Sequence, residues 1–128
     1  MHKESTQETI CQTLSHIPLF QSLQPEQLAE ISLATQDIHL EKGATLFMAG
    51  QLPTGFYIVA YGQMKLFITA PSGDEKIVEI IGARQSFGEA VMFLQRPFPV
   101  SAAALCDTWL LKIPQQAVDT QLEKDASF

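Results

Sequence analysis

Residues 56–82 read FYIVAYGQMKLFITAPSGDEKIVEIIG, and this stretch decides the fold. The runs "FYIVAY", "MKLFIT" and "KIVEII" are rich in Ile, Val, Phe and Tyr, the residues that favour strands. Gly62 separates the first two runs and is placed to supply a turn position with positive φ. Ser72, Gly73 and Asp74, just after Pro71, form a second turn signal. The stretch predicts three short strands in succession.

The pattern extends on both sides. Upstream, residues 5–16 read as a helix with Ile10 and Leu14 spaced i, i+4. After "IPLF", Pro25 and Glu26 suit the first turn of a second helix whose inner face holds Leu28 and Ile31. At residue 36 the period changes to two: Ile38 and Leu40 point one way, Asp37, His39 and Glu41 the other. Gly43 interrupts this run, "TLFMAG" follows, and residues 50–55 form a loop. Downstream, "SAAAL" and "TWLLKI" predict closing strands. Pro114 ends them, and "QQAVDTQLEKDASF" reads as a helix with Val118 and Leu122 at i, i+4. Turn signals among roughly eight short strands point to a sandwich or barrel. Phe47, Phe56, Tyr57, Phe67, Phe87, Phe93 and Trp109 are expected to fill its core.

Composition narrows the function. The net charge is −6, from 14 acidic against 8 basic residues, and the bases are scattered. A nucleic-acid-binding face needs clustered cations, so this chain is not expected to bind nucleic acid. No apolar run reaches the roughly 20 residues of a membrane helix. The polar start "MHKESTQETI" has no signal-peptide core, and a cytoplasmic location without membrane contact is expected. Cys11 and Cys106 are too few for a disulfide framework or a four-thiolate cluster. No spacing suggests a catalytic triad or a metal site, and enzymatic activity is not expected.

The series "LEKGATLFMAG", "FYIVAYGQMKLF", "GDEKIVEI" and "FGEAVMF" resembles the cyclic-nucleotide-binding domains of the CRP/FNR regulators, over residues 16–124. The resemblance implies an α+β fold dominated by β: an eight-stranded antiparallel jelly roll flanked by helices. It divides the chain into a helical segment (1–35), a β-roll sensor domain (36–113) with a short helix near 89–95, and the start of a dimerisation helix (114–128). It also implies a homodimer with Val118 and Leu122 on the dimer helix, a small effector, and DNA contact only through a helix-turn-helix domain missing from this chain.

In nucleotide-binding members, a Gly-Glu pair opens a short helix whose N–H groups meet the cyclic phosphate, and a following Arg supplies the countercharge. Here Gly88 and Glu89 match the pair, Ala90 continues the helix, and Ser101 and Ala102 match the small residues beyond. The Arg position falls on Phe98, and a shift by one or two residues puts it on Pro99 or Val100. None is cationic. Arg96 is a candidate substitute two residues early, although Pro97 and Pro99 restrict the backbone there. Glu89 has two readings, ligand contact or cap of its own helix.

"FGEAVMFLQRPFPVSAAA" resembles the DNR branch, the regulators of dissimilatory nitrate respiration. That branch implies nitric oxide or redox sensing through haem rather than cyclic nucleotide binding. His16 is the candidate axial ligand, against the plainer reading of a helix-end histidine. The alternative function is a working module for cyclic AMP or cyclic GMP.

Overall fold

The computed structural model describes residues 10–124. His2, the expected helix start at residue 5 and Phe128 lie outside the described residues. Helix α1 covers residues 10–15, and a short 3-10 turn, Pro18–Phe20, leads to α2, Pro25–Ala34. Pro25 occupies the first helical turn of α2, and the Gln27 side chain accepts the Gln24 N–H at 2.8 Å, closing the exposed end of the helix.

Eight strands follow: β1 (Gln36–Leu40), β2 (Thr45–Phe47), β3 (Gly55–Tyr61), β4 (Met64–Thr69), β5 (Glu75–Ile81), β6 (Ser86–Phe87), β7 (Ser101–Ala104) and β8 (Thr108–Pro114). Between β6 and β7 lies α3, Glu89–Leu94, and α4 is Gln115–Lys124. The strands form two four-stranded antiparallel sheets, ordered β1-β8-β3-β6 and β2-β7-β4-β5. The expected jelly roll is the fold observed.

The two central strands of the first sheet, β3 and β8, are buried on both faces. Along β3, Phe56 and Ile58 pack into a cluster with Phe20, Ile31 and Val118 from the helices. Tyr57 and Val59 point the other way, into a cluster with Met64, Phe87 and Phe98 inside the roll. Strand β8 divides likewise, with Leu111 and Ile113 toward the helices and Leu110 toward the roll. This is why "FYIVA" is continuously apolar instead of alternating: neither face meets water. Strand β1, at the sheet edge, does alternate. Ile38 and Leu40 are half-buried while Asp37 and His39 are exposed. His39 stacks on Trp109 with ring centres 5.7 Å apart. The Trp109 indole N–H donates to Asp37 at 2.7 Å, which satisfies a buried ring's polar handle.

Two expectations about apolar side chains are corrected. Phe93 is 44% exposed, because it lies on the solvent side of α3 opposite the buried Met92. Val118 and Leu122 do not share one environment. Val118 is fully buried in the domain's own helical cluster, so it is committed to intrachain packing, and Leu122 remains partly exposed.

Gln121 is the second buried residue of α4, and its amide donates to Glu30 of α2 at 2.7 Å. Lys124 also reaches Glu30, at 2.8 Å. The Lys124 ammonium, then the Gln121 amide, holds the Glu30 carboxyl below its ordinary value of 4.5. A lowered carboxylate pKa stabilises the fold above the unfolded value near 4.5, and that contribution is lost as pH falls through the lowered value.

Two measurements check this packing. Gly62 has φ +95°, and a Cβ there would meet the Thr108 hydroxyl at 2.5 Å and the Asp107 carbonyl at 2.8 Å. Gly73 has φ +94° but open space around it. Gly73→Ala is therefore expected to cost about 1 kcal/mol from backbone strain alone. Gly62→Ala is expected to cost about 2 kcal/mol more, through overlap. Urea unfolding of both variants reads the difference, and equal losses would contradict it. In a carbon-detected NMR titration, Lys124→Ala is expected to move the Glu30 midpoint upward. An unchanged midpoint would remove the ion pair as its cause.

Candidate functional site

The turn from β6 into α3 is set by Gly88, whose φ of +91° places it in the left-handed region at the helix cap. This bend aims Glu89, the first residue of α3, back across the end of β6. The Ser86 hydroxyl donates to the Glu89 carboxylate. Gln95, at φ 54°, ends the helix after Leu94.

The chain then runs beside the loop that follows β2. The Phe98 N–H donates to the Gln51 carbonyl at 2.9 Å, and the Phe98 carbonyl accepts the Gly50 N–H at 2.9 Å. These two bonds fix the Phe98 backbone and turn its ring inward. The ring is 5% exposed and stacks on Phe47 with centroids 3.6 Å apart and planes 8° from parallel. Phe87 and Tyr57 continue the aromatic wall, 5.4 Å apart. Burial pushes the Tyr57 phenol above its ordinary value of 10.0, so it stays protonated at neutral pH.

A cleft of about 250 Å³ opens beside this wall. Of the residues singled out from sequence, Gly88, Glu89, Ala90, Phe98, Pro99 and Val100 line it. Ser101 and Ala102 do not. The Ser101 hydroxyl accepts the Ala49 N–H at 2.9 Å, tying β7 to the loop after β2, and Ala102 is fully buried in the roll. Arg96 is exposed and outside the cleft's lining, so the expected substitute cation does not reach inward in this arrangement.

Sequence reading missed Glu79 and Ser86, which also line the cleft. Strand register explains Glu79. It pairs with Leu66 across the β4–β5 hairpin, and the two share the inner face. The register shift just beyond this pair adds Val78 to β5 and hides the simple alternation. Ser86 could have been found from its spacing, three residues before Glu89 across a glycine turn. The lining includes two carboxylates and no Lys, Arg or His.

His16 lies elsewhere, at the end of α1. Its Nδ1 donates to the Gln12 carbonyl at 2.7 Å, leaving Nε2 available. The surrounding depression, about 210 Å³, is lined by Gln12, Thr13, Ala60 and Arg84. A haem needs an extended apolar slot around its axial ligand. Three of these four residues are polar, and Gln12 and Arg84 are exposed, so the described surroundings of His16 do not fit that group. Among the described residues, no group of three or more His, Cys, Asp or Glu side chains could hold a metal ion. No helix among them is long and apolar enough to cross a membrane.

Known proteins share this architecture. The family model described as the cyclic nucleotide-binding domain matches residues 37–125. A crystal structure of the sensor domain of the transcriptional regulator DNR from Pseudomonas aeruginosa superposes with a TM-score of 0.87 at 31% identity, covering 96% of this chain and 83% of that one. The CRP-like cAMP-activated global transcriptional regulator of Mycobacterium tuberculosis is 27% identical over 82% of this chain and 47% of its own length. The cyclic AMP receptor protein of Thermus thermophilus is 33% identical over 75% of this chain and 44% of its own length. The chain thus spans about half the length of the curated relatives it matches. By the family match, the order of its strands and the cassette between β6 and β7, this chain belongs to the cyclic nucleotide-binding domain family, in the form found in CRP-like regulators.

Proposed function

We propose that this chain is the ligand-sensing regulatory domain of a CRP/FNR-type transcription regulator, and that its cleft serves an effector other than cyclic AMP or cyclic GMP. One observation carries this reading. Phe98, stacked on Phe47, occupies the place where the family resemblance puts the phosphate-pairing arginine. A buried phosphate without a countercharge is strongly disfavoured. Glu79 and Glu89 in the same lining add like-charge repulsion.

The role proposed is regulatory rather than catalytic. In a complete regulator, effector binding would favour one of two arrangements of the sensor relative to a DNA-reading partner domain. This requires that the effector bind one arrangement better than the other. Helix α4 is the natural link, since Val118 and Gln121 couple it to the roll and to α2. Homodimerisation would use its outer side, where Leu122 is exposed. Haem-based nitric oxide sensing gains no support from the surroundings of His16.

The names of the Mycobacterium and Thermus relatives favour a second reading, a working cyclic-nucleotide module with Arg96 as the cation. Titration calorimetry separates the two. Cyclic AMP and cyclic GMP are expected to give no saturable heat at millimolar concentration, with Arg96→Ala indistinguishable from the unaltered chain. Micromolar affinity lost in Arg96→Ala would establish the second reading instead.

A further inference from the structure

We infer that the cleft is built for a small organic cation: an ammonium group carried on an apolar or aromatic body. The inference rests on the reading above, that this site does not serve cyclic nucleotides, and names the class of ligand that it does serve.

The walls and the rim of the cleft ask for different things. Half-buried Leu66 and Val91, backed by the buried rings of Phe47, Phe87 and Phe98, give the cleft an apolar wall. Glu79, on β5, and Glu89, on α3, approach from different elements. Glu89 uses one carboxylate oxygen to accept the Ser86 hydroxyl, and its other oxygen has no hydrogen bond to a described residue. Glu79 makes no ion pair with a described residue. The two basic side chains nearest in sequence to α3 lie outside the lining: Arg96 is exposed, and Arg84 lines the depression beside His16.

A ligand seated on this wall also displaces water from half-buried Glu89 and from the cleft side of exposed Glu79. An anion adds repulsion. A neutral ligand leaves the carboxylates partly desolvated without compensation. A cation restores the balance. At about 250 Å³ the cleft is below the usual range for drug-sized ligands, so the body is small, on the scale of one ring.

Three compounds of matched shape test this: phenethylammonium, 2-phenylethanol and phenylacetate. Binding is followed by NMR shifts of the Glu79, Glu89 and Phe98 signals in the unaltered chain. Phenethylammonium is expected to bind about tenfold or more tightly than 2-phenylethanol, a difference of roughly 1.4 kcal/mol. Phenylacetate is expected to be weakest, and added salt to reduce the preference. Glu79→Gln and Glu89→Gln keep side-chain shape and are each expected to shrink the preference, the double variant abolishing it. Unchanged urea unfolding midpoints show that these variants fold. Equal affinity for the cation and the alcohol, or no binding by any of the three, would overturn the cation assignment and leave the non-nucleotide reading standing. Competition by micromolar cyclic AMP at the same signals would overturn both.

Discussion

The pairing of β3 with β8 is the constraint on which the rest of this structure depends. These two strands lie at the middle of the first sheet, and both of their faces are covered. One face receives α2 and α4 through Ile31 and Val118, and the other closes the roll through Leu110 and Val59. Close backbone approach makes the pairing possible. A Cβ on Gly55 would lie 2.3 Å from the Ile113 carbonyl, so no larger residue fits there without shifting the strand. Helices α2 and α4 pack on one face and the second sheet on the other, yet each is positioned by the same two strands. A displacement of either strand is therefore felt on both sides.

The cassette inherits its position from that pair. Strand β6 adds to β3 for only two residues, Tyr57 with Phe87 and Ile58 with Ser86. That short register fixes Ser86, and Ser86 holds Glu89. Gly88 then has to bend the chain, which places α3 over the mouth of the roll. The geometry of the cleft follows from a two-residue ladder and one left-handed glycine.

Much of this was legible in the sequence, and the exceptions share a cause. The alternation of Ile38 and Leu40, the turns at Gly62 and Gly73, and the Gly88-Glu89 pair are local signals, set by backbone geometry within a few residues. The exposure of Phe93, the burial of Val118 and the entry of Glu79 into the cleft depend on which element covers which face. A single sequence states residue type but not partner. For β5 the added residue Val78 breaks the period that would have placed Glu79 inward. The resemblance drew attention to Phe98, an apolar residue where it implies a cation. The stacking of Phe98 on Phe47 was not legible, because it requires the loop after β2 to run beside residue 98, a pairing between segments far apart in the chain.

That pairing also sets how a ligand in the cleft can be felt elsewhere. Phe98 is bonded through its own N–H and carbonyl to residues 50 and 51, and its ring faces Phe47 at the end of β2. Ser101, three residues on, is bonded to the backbone of Ala49. A ligand that displaces the Phe98 ring must therefore either break the stack or carry β2 and its loop with it. Both moves act on the second sheet, whose strands β7 and β4 share the buried interior with β3 and β8. Close-packed interiors respond to such a push by repacking into a different arrangement rather than by stretching smoothly. Phe98 therefore does more than line the cleft. Its ring joins the wall of the cleft to the core of the roll, whose strands β3 and β8 carry on their other face the cluster that holds α4 through Val118.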